Sequence, residues 1–94
     1  MNAPKTIRVT AEHIAQGWRG SACNCPIALA LKDEWPGAEV EVSGPDIEVS
    51  ADRLWLAQCD DTAMDFIVRF DAGADVQPFE FDVEWLDPDG VSFL

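Results

Sequence analysis

The chain has 94 residues, which is enough for one domain and too few for two. Hydrophobic residues make up 48% of the chain, so it can build a core and is not an intrinsically disordered acidic tail. The 18 Asp and Glu outnumber the 6 Lys and Arg, and the formal net charge is −12. Such a surface repels nucleic acid and anionic lipid and attracts basic proteins. We therefore expect a single acidic domain over residues 1–94, with no direct binding to nucleic acid or membranes.

Three features of the sequence predict a cytoplasmic protein. No signal-peptide pattern is found at residues 1–10, and the longest apolar stretch, residues 26–31, is too short to cross a membrane. The three cysteines are an odd number, which argues against the disulfide framework of a secreted domain.

The first part of the chain predicts one strand and two helices. Residues 5–10 alternate between apolar and polar side chains, as a half-buried strand does. Thr10 is a suitable N-cap for a short helix over residues 11–16. Pro26 suits the first position of a second helix, which residues 35–37 (Trp-Pro-Gly) end.

The second part predicts a hairpin, a helix and further strands. Residues 39–43 and 47–50 alternate on either side of a Gly-Pro-Asp turn, which is a hairpin pattern. Apolar residues at helical spacing predict a third helix over residues 63–72, after capping residues at 60–62. Additional strands are expected at residues 53–57 and 78–86.

The predicted order is β-α-α-β-β-(β)-α-β, which indicates an α+β domain with one antiparallel or mixed sheet and helices on one face. The strand period of two turns the apolar residues toward the helices and the acidic residues away from them. The apolar residues predicted to face the helices are Val40, Val42, Ile47, Val49, Phe79, Phe81, Val83 and Trp85. No basic residue falls among the acidic ones in this pattern. The predicted partner-binding residues are Glu39, Glu41, Glu48, Glu80, Asp82 and Glu84.

An acidic sheet face of one sign predicts a binding function, because like charges on neighbouring strands repel and cost stability. Carboxylates spaced on a rigid sheet can replace phosphates in contacts with lysine and arginine. The alternative is a soluble domain whose solvated face is acidic, and a different strand pairing would scatter these charges.

The cysteines and the histidine are the other candidates for chemistry. Cys23, Cys25, Cys59 and His13 could form a zinc site, but a one-residue gap between paired cysteines is unusual for structural zinc. Cys25 could also be a reactive thiolate, because it precedes a helix N-terminus. No base or pocket is evident beside it. We therefore expect no metal, no cofactor and no catalytic residue. A metal-dependent or cysteine enzyme is the least favoured hypothesis for the function of this chain.

One further set of segments is distinctive, and it comprises residues 9–14 with Gly17, 25–31, 66–67 with 70–73, and 78–81. These segments resemble small proteins encoded by bacteriophages and other mobile elements. Small, acidic, cysteine-poor phage proteins of this kind are similar to anti-CRISPR proteins, several of which mimic nucleic acid. The resemblance implies binding to the basic channel of a CRISPR effector complex, which would block target DNA.

The sequence thus predicts an acidic inhibitor of a basic, nucleic-acid-binding protein surface in the host bacterium, present as a monomer or homodimer. The alternative function is a small phage structural or assembly protein that acts through homo-oligomerisation. The two hypotheses differ in salt dependence, because screening weakens the contacts of an acidic mimic and not those of an apolar interface.

Overall fold

The computed structural model describes residues 5–51, 54–83 and 85–86. These residues form the α+β domain that the sequence predicts. In chain order the elements are β1 (Lys5–Val9), α1 (Ala11–Gln16), α2 (Pro26–Glu34), β2 (Glu39–Ser43), β3 (Asp46–Ser50), β4 (Leu54–Gln58), α3 (Asp61–Asp71), β5 (Phe79–Val83) and β6 (Trp85–Leu86).

The strands form two sheets, where the sequence predicted one. One sheet pairs β1 with β5, and the other has the order β2-β3-β4-β6. Every pairing is antiparallel. The sequence allowed either an antiparallel or a mixed sheet, and the described strands are antiparallel.

The predicted strand over residues 78–86 is divided between the two sheets. Its first part, β5, pairs along its whole length with β1, from Phe79 opposite Val9 to Val83 opposite Lys5. Its last part, β6, pairs with β4 instead. Strand β1 has five residues, and all of them are paired with β5, so the β1–β5 ladder ends at Val83. The following strand, β6, therefore pairs with β4.

Side chains cap the start of all three helices. Thr10 and His13 form a reciprocal capping box at α1, and the Cys25 sulfur accepts the Ala28 N–H at the start of α2. The Asp60 carboxylate accepts the Ala63 N–H at 2.8 Å. Because Asp60 is the cap, α3 begins at Asp61, two residues before the predicted start.

Helix α2 lies at the centre of the domain and packs against both β1 and β2. Its residues Ile27 and Leu31 are fully buried, and each contributes about 1.5–3 kcal/mol through burial. Gly17 allows a close approach to this helix, since a Cβ at that position would lie 2.5 Å from the Pro26 ring. The buried His13 ring then joins α1 to α2 through a 2.5 Å hydrogen bond to Asp33.

The inward faces of the strands follow the predicted alternation. The buried strand residues are Ile7, Val9, Val40, Val42, Ile47, Val49, Trp55, Ala57, Phe81 and Val83. Phe79, which was expected with them, is half-buried and stacks on Phe66 of α3, with ring centroids 4.5 Å apart. Trp85 was also predicted to face the core, but its side chain lies outside the described residues.

Candidate partner-binding surface

The outer face of the β2–β3 hairpin carries three acidic residues, Glu39, Glu41 and Glu48, that form no ion pair with a lysine or arginine among the described residues. Val40 and Val42 point into the core, so their neighbours Glu39 and Glu41 point outward. The register places Glu41 directly opposite Glu48. Residues facing each other in this way have Cβ atoms roughly 5 Å apart.

The turn between β2 and β3 fixes this register. Gly44 and Pro45 connect the paired residues Ser43 and Asp46. Gly44 has a φ of 61°, which suits the first central position of a tight hairpin turn, where glycine is preferred. The same turn that closes the hairpin therefore holds Glu41 and Glu48 opposite each other.

No lysine or arginine among the described residues forms an ion pair with Glu39, Glu41 or Glu48. Glu41 accepts a hydrogen bond from the Ser43 hydroxyl at 3.2 Å. Lys32 lies beside these residues, and its ammonium donates at 2.6 Å to the carbonyl of Cys23. Among the described residues, the hairpin carboxylates therefore have no direct ion pair with a lysine or arginine.

Two of the predicted acidic residues belong to the other sheet and have partners there. Arg8 Nε donates to Glu80 at 2.9 Å, and the Thr6 hydroxyl donates to Asp82 at 2.7 Å. The expectation that no basic residue falls among the acidic ones is therefore wrong at Glu80. The cause is the β1–β5 register, which brings Arg8 across from Glu80. Glu84, the sixth predicted residue, lies outside the described residues.

Strand β4 adds apolar residues to the outer face of the larger sheet. Its alternation buries Trp55 and Ala57 and turns Leu54 and Leu56 outward. Leu54 remains 42% exposed. The sequence analysis missed these two leucines as surface residues because their direction depends on how β4 pairs with β3.

A shallow groove of about 260 Å³ lies beside the acidic hairpin. Its lining combines carboxylates with one ammonium group and one exposed leucine, and we call it the sheet groove. It is lined by Cys23, Lys32, Glu39, Val40, Glu41, Glu48, Ser50 and Leu54.

The cysteines are not gathered into a metal site in the described part of the chain. Cys23 is exposed and Cys25 is buried as the cap of α2, while Cys59 is half-buried. His13 uses Nδ1 to accept the Thr10 N–H and Nε2 to bond Asp33. Within the described ranges, no three His, Cys, Asp or Glu side chains lie close enough together to hold a metal ion.

Burial makes two of the thiols poor nucleophiles. It raises the pKa of Cys25 above the ordinary value of 9.0, although backbone N–H groups at the start of α2 act in the opposite direction. It also raises the pKa of Cys59 to about 12, with smaller contributions from Cys25 and Asp60. The suggestion that the helix N-terminus makes Cys25 a reactive thiolate is therefore wrong, because desolvation outweighs the helix.

A second depression, also of about 260 Å³, lies between α3 and the tip of the hairpin. Its walls are mainly apolar, with Phe66, Ile67 and Phe70 on one side and the start of α2 on the other. Cys25 also lines this depression, and burial raises the pKa of its thiol. This cleft can accept an apolar group, and Ser21 and Asp71 add polar groups to its lining.

Two further apolar side chains are exposed away from the sheet face. Trp18, in the loop between α1 and α2, is 70% exposed, and Val68 on α3 is 63% exposed. Trp55, by contrast, is buried in the core.

No helix in the described residues is both long enough and apolar enough to cross a membrane. The chain matches no protein-family model, and comparisons with curated proteins and with solved structures found no match.

Proposed function

We propose that this protein is an inhibitor that acts by binding and not by catalysis. It docks the acidic outer face of the β2–β3 hairpin on a basic, nucleic-acid-binding surface of a host protein in the bacterial cytoplasm. A CRISPR effector complex is the candidate target, with its DNA-binding channel blocked by the acidic face. The inhibitor's carboxylates take the place of nucleic-acid phosphates.

The observation that carries this proposal is the facing pair Glu41 and Glu48, which has no cation of its own among the described residues. Two carboxylates facing each other repel, and a basic partner relieves that repulsion by placing a lysine or arginine between them. The partner therefore gains an interaction that the free protein lacks. Glu39 extends the same face along β2.

The acidic residues of the smaller sheet contribute less in this proposal. Glu80 already pairs with Arg8, and Asp82 accepts a hydrogen bond from Thr6. A partner's cation would have to displace an existing contact at either residue. Exposed ion pairs of this kind are worth about 0.2–1 kcal/mol, so displacement is possible but yields little net gain.

The test is a pull-down from a bacterial lysate that contains a CRISPR system, followed by washes of rising salt and mass spectrometry. The proposal expects a nucleic-acid-binding complex that salt releases and that DNA displaces, because both compete for the same basic surface. Capture of proteins that DNA does not displace would contradict it.

A matched pair of variants separates the acidic face from net charge. Replacing Glu39, Glu41 and Glu48 by glutamine removes three charges from the hairpin and is expected to abolish capture. The control replaces three exposed acids elsewhere, E12Q, D65N and D75N, and changes the net charge equally. Equal loss of capture in both variants would mean that overall charge, not the hairpin, is responsible.

The second candidate function is assembly of a phage particle through homo-oligomerisation, and the exposed Trp18 and Val68 favour it. Large exposed apolar side chains are frequent anchors of protein interfaces. This candidate predicts a self-association that persists at high salt, which sedimentation velocity at low and high salt would reveal. A monomer at both salt concentrations would rule it out.

A further inference from the structure

The outer face of the larger sheet has an acidic part and an apolar part, and the strand register sets their order. Across the sheet, Glu41 faces Glu48, and Glu48 in turn faces Leu56. In the neighbouring row, Glu39 faces Ser50, and Ser50 faces Leu54. Each row therefore begins with a carboxylate on β2 and ends with a leucine on β4, and the residue between them on β3 is Glu48 in one row and Ser50 in the other.

The sheet groove joins these two parts into one concave surface. Carboxylates of Glu39, Glu41 and Glu48 line it together with the exposed Leu54. Lys32 lines the β2 side, but its ammonium is engaged by the Cys23 carbonyl. The groove therefore offers acceptors for cations beside an apolar side chain.

The spacing of the carboxylates indicates what kind of cation fits. In the described part of the chain, no three acidic, cysteine or histidine side chains are grouped tightly enough to share one metal ion. Carboxylates that are neighbours across strands, roughly 5 Å apart at Cβ, instead suit separate ammonium or guanidinium groups. Lysine and arginine side chains of a protein provide such separate cationic groups, and their positive charge complements the negative charge of the groove.

We propose that the sheet groove binds a protein segment in which an apolar side chain lies next to lysines or arginines, with Leu54 as the apolar contact. This rests on the proposed function and specifies the partner of the same face. The carboxylates supply the part of the affinity that salt weakens. Leu54 supplies a part that salt does not weaken, and it favours partners with an apolar residue beside the basic ones.

Two synthetic peptides of equal length and charge test this proposal. One alternates lysine with leucine and the other alternates lysine with serine, and binding is followed by calorimetry at low and high salt. The wild-type protein is expected to bind the lysine–leucine peptide about fivefold to tenfold more tightly, as burial of part of one leucine side chain would give.

Variants then assign the difference to Leu54. L54S is expected to remove the preference for the lysine–leucine peptide while both peptides keep their salt dependence. The control V68S removes an exposed apolar side chain from α3 and is expected to leave the preference unchanged. A preference that survives L54S, or one that V68S also abolishes, would overturn the proposal.

The same experiment distinguishes failure of this inference from failure of the proposed function. If both peptides bind equally and salt weakens both, the acidic face binds cations but Leu54 has no part in recognition. If neither peptide binds in a salt-dependent way, the proposed function fails and the inference fails with it. Circular dichroism of each variant confirms that the fold is retained.

Discussion

Replacing Glu48 with glutamine is expected to stabilise the folded protein. Glu48 faces Glu41 across β2 and β3, and no cation in the described residues pairs with either side chain. Glutamine has nearly the same shape as glutamate and carries no charge. The substitution therefore removes the repulsion between the two strands while leaving the register and the core residues Val40 and Val49 as they are.

The geometry gives the size of this effect. Two unit charges about 6 Å apart in water repel by about 0.7 kcal/mol, and facing like charges on neighbouring strands cost a comparable amount. Flexible glutamates turn away from each other, so we expect E48Q to gain about 0.5 kcal/mol. For a domain of this length, that corresponds to a rise in the melting temperature of about 2–4 °C. E48K adds an attraction to Glu41 and should gain roughly twice as much.

Urea unfolding at low and high salt measures these differences. The control is D75N, which changes the net charge equally at an exposed position that has no ion pair in the described residues. At low salt, E48K is expected to be the most stable, E48Q the next and the wild type the least stable. High salt should reduce the differences in unfolding free energy, because screening weakens interactions between exposed charges. If D75N stabilises the protein as much as E48Q does, the effect comes from net charge and the reasoning about the facing pair is refuted.

Four further outcomes follow from the core, the caps and the thiols. L31A should cost about 2–5 kcal/mol in urea unfolding, because Leu31 is fully buried between α2 and the sheets. D60A should cost about 1 kcal/mol by the same measurement, since it removes the N-cap of α3. Mass spectrometry after brief alkylation of the native protein should find Cys23 modified and Cys59 unmodified. Because burial raises the pKa of Cys59 from 9.0 to about 12, the unfolded state loses this proton first, and stability should fall as the pH rises above about 9.

The hairpin is the part of the fold that the sequence predicts best. The alternation over residues 39–50 predicts both strands, but the predicted Gly-Pro-Asp turn is one residue too long. Asp46 belongs to β3, and the shorter turn of Gly44 and Pro45 places Glu41 opposite Glu48. The helices are predicted nearly as well, because Thr10, Cys25 and Asp60 cap them from adjacent positions. In each of these features, the interacting residues lie only a few positions apart in the chain.

Pairings between distant segments are the part that sequence patterns leave open. Arg8 meets Glu80 across a separation of 72 residues, and nothing in the local alternation of either strand specifies that partner. The division of residues 78–86 into β5 and β6 has the same origin, since an extended segment is equally compatible with β1 and β4. The exposure of Leu54 also depends on a pairing, that of β4 with β3.

The contrast between the two sheets favours the proposed binding role over simple solubility. A soluble surface needs acidic residues, but it does not need two of them opposite each other without a cation, because charges placed apart give the same solubility at a smaller cost in stability. The smaller sheet demonstrates the less costly arrangement, with Arg8 on Glu80. The larger sheet keeps Glu41 opposite Glu48 and therefore gives up stability at this position. Under the proposed function, binding to a basic partner compensates for this loss of stability. Variants at Glu48 are therefore expected to become more stable as they lose affinity for that partner.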